Sequence, residues 1–170
     1  MLGELPGAEP WRGEVLRRAA VFQAALRDGD GAAPALSAAR ALAGLGEGST
    51  PAGDDYLVGV LHAIRFGGGG ARADFASLLA SEAAARTSTA SAGWLLEAGR
   101  GAASPRWQAL LDALEGADES AVDATARAVR ASGHTSGAFS LRGFLDTLRC
   151  LPQGVVASST PRAAGVSDTV

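Results

Sequence analysis

The chain has 170 residues, of which 47% are hydrophobic and 19% are charged. This length and composition predict one soluble globular domain with a substantial core. The formal net charge of −3 argues against a nucleic-acid-binding surface, and because all 15 basic residues are arginine, the lysine chemistry of Schiff bases and P-loops is excluded.

Three observations bear on the compartment in which the protein works. The single cysteine, Cys150, cannot form an internal disulfide, so nothing indicates an oxidising environment. No apolar run reaches the roughly 20 residues that a membrane-spanning helix needs. The segment Met1–Gly7 lacks the basic and apolar regions of a signal peptide. We therefore expect a cytoplasmic protein that does not bind membranes.

Helical periodicity begins near the N-terminus and recurs through most of the chain. A first helix is predicted by apolar residues spaced so that they share one helical face. These residues are Trp11, Val15, Ala19, Phe22 and Leu26. A short alanine-rich helix is predicted at about 34–43. The residues after Pro51 are apolar on most sides, which predicts a central, buried helix at about Asp54–Phe66.

Further helices are predicted along the rest of the chain. One covers about 71–85, one begins at Ser104-Pro105, one is capped by Asp118, and the last presents Leu141 and Phe144 on one face. We expect an all-α, compact bundle of about seven or eight helices around the central helix. It forms a single domain over residues 1–150, followed by a disordered tail over 151–170. The core is predicted to include His62 and the three tryptophans, Trp11, Trp94 and Trp107.

The most informative segment is Gly44–Asp55, a glycine-rich loop that runs into the start of the central helix. Its glycines permit positive φ, Thr50 is predicted as the N-cap, and Pro51 suits the first helical position. Such a junction directs unpaired N–H groups and the positive end of a helix dipole at one point, which favours an anion. The predicted anion-binding residues here are Gly48, Ser49, Thr50 and Gly53.

Gly53 weakens the first turn of the predicted helix relative to alanine. We expect its compensation to be the close approach of a ligand or of another backbone segment. The adjacent acids Asp54 and Asp55 allow two interpretations. They suit the dipole of the first helical turn, or they bind a cation such as Mg²⁺ or the N–H groups of a ligand. Cysteine and histidine pairs at zinc-binding spacing are absent from the sequence, so zinc is not expected.

Two other segments place hydroxyl groups before helices, Arg86–Ser91 and Gly133–Gly137. Ordinary N-capping explains each of them when it is taken alone. Arg86 is a candidate for binding a carboxylate or phosphate, although it also suits the end of the preceding helix. His134, between a glycine and hydroxyl residues, is a candidate general acid or base, although a surface histidine fits equally well.

Taken together, the three segments resemble a bacterial family that includes the AllH-type subunit of oxamate carbamoyltransferase, from anaerobic allantoin degradation. The resemblance rests on Gly44–Gly59, Arg86–Ser91 and Gly133–Ala138 and covers about residues 41–148. Members of this family are usually longer at the N-terminus, so the resemblance implies a short member. The family pattern also usually has a proline at position 47 and a bulkier residue at position 49.

The resemblance implies a carbamoyltransferase subunit that works with partner subunits on a small anionic substrate. In this reaction oxalurate and phosphate give oxamate and carbamoyl phosphate. Asp54 and His134 are then the predicted catalytic residues, with Asp54 orienting the substrate amide and His134 transferring a proton. The remaining predicted substrate-binding residues are Asp55, Arg86, Thr87, Ser88, Thr135 and Ser136. No cofactor is expected, apart from Mg²⁺ as an alternative at Asp54 and Asp55.

Two other functions stay open at this point. The three segments are also compatible with a non-catalytic assembly subunit, in which they hold the helices together and dock a partner that carries the chemistry. A metal-dependent hydrolase that uses Asp54 and Asp55 is the other alternative. The arrangement of the segments in space separates these hypotheses, because an enzyme needs the candidate residues around one cavity.

Overall fold

The computed structural model describes residues 9–28 and 31–151. In these residues the chain forms eight α-helices and no strand, which confirms the all-α prediction. The helices are α1 Pro10–Asp28, α2 Ala32–Leu42, α3 Ala52–Phe66, α4 Gly70–Ala84, α5 Thr89–Arg100, α6 Pro105–Glu115, α7 Glu119–Arg130 and α8 Ser136–Cys150. Except for Leu151, the predicted tail lies outside the described residues.

Helix α3 is the central helix of the bundle, as the sequence predicted, although it begins at Ala52. It packs most extensively against α8 and also contacts α1, α2, α4 and α5. The larger part of the core surrounds it and includes Phe22, Leu42, Leu79 and Leu95. This position explains why α3 is apolar on most sides, and it places the N-terminal turn of the helix inside the protein.

Two glycines allow α3 and α8 to meet at their backbones. An alanine Cβ at Gly59 of α3 would overlap the Ser140 carbonyl oxygen and lie 2.8 Å from the Phe144 nitrogen. A Cβ at Gly143 of α8 would lie 2.9 Å from the Tyr56 carbonyl carbon, again in overlap with the oxygen. A side chain at either position would therefore push the two helices apart. Only glycine allows their backbones to come this close.

Helices α6 and α7 form a hairpin beside the main bundle. Ser104 caps α6 by accepting a hydrogen bond from the Trp107 N–H, and Asp118 caps α7 through the Ala121 N–H, as the sequence predicted. The hairpin has its own apolar cluster, in which Trp107 and Val129 pack near Phe144 of α8. A space is left between the hairpin and helices α3 and α5.

In the part of the chain that the structure describes, no helix combines the length and the apolar character that crossing a bilayer requires.

Candidate functional site

The three segments singled out in the sequence meet around the start of α3. The hydroxyl oxygens of Thr50 and Ser136 lie 3.3 Å apart, which joins the first segment to the third. The hydroxyl of Thr87 donates to Asp54, and that of Ser88 donates to the Ser49 carbonyl oxygen over 2.7 Å. Residues far apart in sequence therefore form one connected region.

Thr50 does not cap α3, and this part of the prediction was wrong. The N-cap position is Pro51, and no side chain accepts a hydrogen bond there. Pro51 keeps an extended ψ of 144°, so Ala52 is the first helical residue and Pro51 does not occupy the first helical position that the sequence predicted for it. The Thr50 hydroxyl is therefore left to meet Ser136 of α8.

Three N–H groups in the first turn of α3 already have acceptors within the protein and are not available to an anion. The Gly53 N–H donates to the Leu45 carbonyl oxygen over 2.8 Å, and the N–H groups of Asp54 and Asp55 donate to the Pro51 carbonyl at 2.9 and 3.1 Å. An alanine Cβ at Gly53 would lie 3.0 Å from the Leu42 carbonyl carbon, so a backbone segment explains this glycine. Gly53 accordingly has no amide free for the predicted anion contact.

Asp54 joins two of the segments from inside the protein. Its side chain is 0% exposed, its Oδ1 accepts the Gly44 N–H over 2.8 Å, and its Oδ2 accepts the Thr87 hydroxyl. Both carboxylate oxygens thus have protein partners, and Asp54 does not line the cavity described below. Asp54 therefore links these two segments, and its catalytic role stays a prediction.

Replacing Asp54 with alanine is expected to lower the free energy of unfolding by about 2–4 kcal/mol, because the Gly44 N–H and the Thr87 hydroxyl lose their acceptor on this buried side chain. Urea unfolding measures the change. Asp74→Ala, at an exposed position on α4, is the matched control and is expected to stay within about 0.5 kcal/mol of the wild type. An Asp54→Ala protein as stable as this control would restore a purely catalytic interpretation.

Most of the other predicted site residues lie at the surface. Arg86 and His134 are exposed, and neither lines the cavity. Thr135 occupies the N-cap position of α8 without a side-chain cap bond. Gly48, Ser49 and Ser88 are also exposed, and Ser88 caps α5 through the Ser91 N–H. Substrate contacts by these residues stay predictions.

A cavity of about 440 Å³ lies between helices α3, α5 and α8 and the α6–α7 hairpin. Its polar lining includes three of the predicted residues, Thr50, Asp55 and Ser136, together with His62 and Ser140. Val58, Trp94, Trp107 and Val129 provide apolar walls. Trp94 is 59% exposed, so the prediction of a core residue was wrong for this tryptophan. Its side chain instead forms part of the cavity wall.

Asp55 is the distinctive polar group of this cavity. The residue is 9% exposed, and its Oδ2 has no hydrogen-bond partner among the described residues. Burial raises the pKa of its carboxyl group to about 7; the Ser136 hydroxyl opposes this rise and the neighbouring Asp54 charge adds to it. A buried carboxyl oxygen without a donor is unfavourable, so this atom is the natural contact for a ligand N–H group.

His62 also lines the cavity, which the sequence analysis did not predict. Its ring packs against Trp107 with the ring centres 4.6 Å apart, and burial lowers its pKa to about 4. The imidazole is therefore neutral near pH 7. Asp55, Val58 and His62 follow an i, i+3, i+7 spacing, so they share one face of α3. That spacing is the sequence signal from which a shared site for these three residues could have been predicted.

The described residues contain no cluster of three or more histidine, cysteine, aspartate or glutamate side chains arranged to hold a metal ion. Asp54 is hydrogen-bonded to Gly44 and Thr87, whereas Asp55 lines the cavity, so the adjacent acids have different surroundings. Magnesium binding by this pair stays a prediction.

The fold and the cavity define an all-helical protein in which three helix starts meet beside a buried carboxyl group. The chain belongs to the family of the oxamate carbamoyltransferase subunit AllH, whose family model matches residues 42–148, more than half of the chain. The match covers all three segments and confirms the predicted family. Comparisons with curated proteins and with solved structures yielded no match.

Proposed function

We propose that this chain is the substrate-binding subunit of a carbamoyltransferase complex and that its cavity holds a small ureido or carbamoyl acid. The observation that carries the proposal is the free Oδ2 of Asp55, buried in a cavity that the first and third family segments line. Carbamoyl and ureido groups present N–H donors, which are the partners that this oxygen lacks. Family membership supports oxamate and oxalurate as the compounds to consider.

The reaction that we assign to the complex balances without a cofactor. A phosphate oxygen forms a bond to the carbamoyl carbon of oxalurate, and the bond from that carbon to the oxamate nitrogen breaks. The proton of hydrogen phosphate moves to the departing nitrogen. Oxamate and carbamoyl phosphate result. In the reverse reaction, carbamoyl phosphate transfers its carbamoyl group to oxamate.

The cavity residues suit distinct parts of this reaction. Asp55 accepts the N–H groups of the carbamoyl end and fixes its orientation. In this proposal the Thr50 hydroxyl, 3.3 Å from that of Ser136, turns to donate to the carbonyl oxygen, on which negative charge develops during phosphate attack, while Ser136 keeps its hydrogen bond to Asp55. A carboxyl pKa of about 7 also allows Asp55 to take up and release a proton near neutral pH.

Partner subunits complete the proposed enzyme. The cavity lining includes no arginine side chain, and the one histidine in it is neutral near pH 7. We therefore place the phosphate at the junction with a partner subunit, where His134 remains the predicted residue for proton transfer. A purely assembly role is the competing hypothesis, and it is favoured by the exposure of Trp94 beside the cavity.

Ligand-induced stabilisation of the purified full chain tests the proposal. Oxalurate at about one hundred times its Kd is expected to stabilise the fold by about 2.7 kcal/mol, which is several degrees of Tm. Oxamate and carbamoyl phosphate are measured in parallel, with sulfate as an unrelated anion. Ser136→Ala is expected to weaken the shift, whereas Ser81→Ala, on the exposed side of α4, leaves it unchanged. If no carbamoyl compound shifts the Tm, the assembly role is supported instead.

A further inference from the structure

We propose that Arg106 binds the carboxylate of the ligand at the rim of the cavity while Asp55 holds the carbamoyl N–H groups inside. The chain then selects compounds that carry an acid at one end and a carbamoyl or ureido group at the other. This inference rests on the proposed function and deepens it by assigning the orientation of the substrate and a residue that determines specificity.

The position of the Arg106 side chain is set by the α6–α7 hairpin. Arg106 is the second residue of α6, and its Nη1 donates to the Ser132 hydroxyl oxygen over 2.9 Å. Ser132 and the cap residue Ser104 both line the cavity. The guanidinium group therefore lies at the edge of the cavity, although the exposed side chain of Arg106 is not part of its wall.

Arg106 is available to a carboxylate. Among the described residues it forms no salt bridge, and Nη1 makes the hydrogen bond that orients it. A guanidinium group has further donors in a planar fork that matches a carboxylate. The ligand would therefore supply the anionic partner that the described part of the chain does not.

Glu97, the second acidic residue that lines the cavity, repels a bound carboxylate only weakly. Its Oε1 lies 2.9 Å from Nη1 of Arg100, and both side chains are more than half exposed. The pair is close to neutral and is screened by solvent. The unbalanced charges at the cavity are thus Asp55 inside and Arg106 at the rim.

Ser132, which holds Arg106, is linked through the start of α8 to residues that line the cavity with Asp55. The Ser132 carbonyl oxygen accepts the Gly137 N–H over 2.8 Å at the start of α8. Ser136, one residue earlier, has its hydroxyl 3.3 Å from that of Thr50, which also lines the cavity with Asp55. A short linear molecule that we place along these residues would meet a cation at one end and a carboxyl acceptor at the other. Oxamate and oxalurate both have that sequence of groups.

Comparing oxamate with oxamide tests the inference, because oxamide replaces the carboxylate with a neutral amide of similar shape. Isothermal titration of the wild type is expected to show tighter binding of oxamate. Arg106→Gln should weaken oxamate binding about tenfold to a hundredfold, the range for losing charge-assisted hydrogen bonds, and should leave oxamide within about twofold. Arg106→Lys keeps the charge but loses the planar pair of donors, so its oxamate affinity should lie between those of the wild type and Arg106→Gln.

Arg130→Gln is the matched control, since Arg130 is an exposed arginine of α7 outside the cavity. Its oxamate affinity and the Tm of both glutamine variants should equal those of the wild type. Equal weakening of oxamate and oxamide in Arg106→Gln, or no weakening, would overturn this inference and leave the proposed function intact. Failure of the wild type to bind oxamate, oxalurate and oxamide would overturn both proposals.

Discussion

Replacing Gly59 with alanine is expected to destabilise the fold by at least about 3 kcal/mol, enough to leave little folded protein in a domain of ordinary stability. The added Cβ would overlap the Ser140 carbonyl oxygen and lie 2.7 Å from the carbonyl carbon. Both atoms belong to the backbone of α8, so no side-chain rotation relieves the clash. Far-UV circular dichroism during urea unfolding measures the loss.

Gly93→Ala provides the matched control in another helix. A Cβ at Gly93 of α5 meets no heavy atom within 4 Å, so alanine should stabilise this helix by up to about 1 kcal/mol. Replacing glycine with alanine is thus expected to lower the free energy of unfolding at Gly59 and to raise it at Gly93. Equal urea midpoints for Gly59→Ala and the wild type would contradict the backbone contact between α3 and α8.

Asp55→Asn is expected to stabilise the fold above neutral pH. The carboxyl pKa rises from 3.8 to about 7 on folding, so between these values the folded state holds more protons than the unfolded state. The wild-type free energy of unfolding therefore falls as pH rises through this window. Asparagine has no such proton, so the advantage of the variant should grow from about pH 4 to 7 and level off at no more than about 4 kcal/mol.

Urea unfolding of both proteins at several pH values from 4 to 8 measures this advantage. Burial of His62 has the opposite effect, since its pKa falls from 6.5 to about 4 and its contribution to stability is lost as pH falls. This contribution is present in both proteins and cancels in the difference between them. A difference that does not change with pH would show that the Asp55 carboxyl has an ordinary pKa.

The same substitution is expected to abolish the thermal shift with oxalurate. An asparagine amide keeps the size of the side chain but replaces the charged acceptor with a neutral group that also carries donors. The variant should thus be more stable than the wild type at pH 8 and yet fail to bind. This combination is typical of a residue retained for function at the expense of stability. Oxalurate binding equal to that of the wild type would remove Asp55 from the site.

The helices of this protein were largely predictable because their signals are local. Apolar spacing located the central helix, and the residue types at Ser104 and Asp118 predicted the caps that the structure has. The meeting of the three segments depended on contacts across the fold. The pairs Thr50–Ser136 and Thr87–Asp54 join residues that no periodic pattern connects.

The adjacent acids show most clearly what the sequence left open. Consecutive helical residues point about 100° apart, so Asp54 and Asp55 face different surroundings. Asp54 meets Gly44 and Thr87, whereas Asp55 faces the cavity. Which acid is structural was decided by segments distant in the chain. The amides of the first turn were likewise predicted to be free, because their acceptors, the Leu45 and Pro51 carbonyls, depend on the path of the loop.

The close approach of α3 and α8 at Gly59 and Gly143 has a consequence for recognition. Two helices that touch through their main chains cannot rotate or slide past each other without a collision, and these helices carry Asp55 and Ser136. The distance between Asp55 and Ser136 is therefore fixed before a ligand binds. Such preorganisation reduces the entropy lost on binding. It also favours selection of ligands by their shape, because the site does not adjust to fit them.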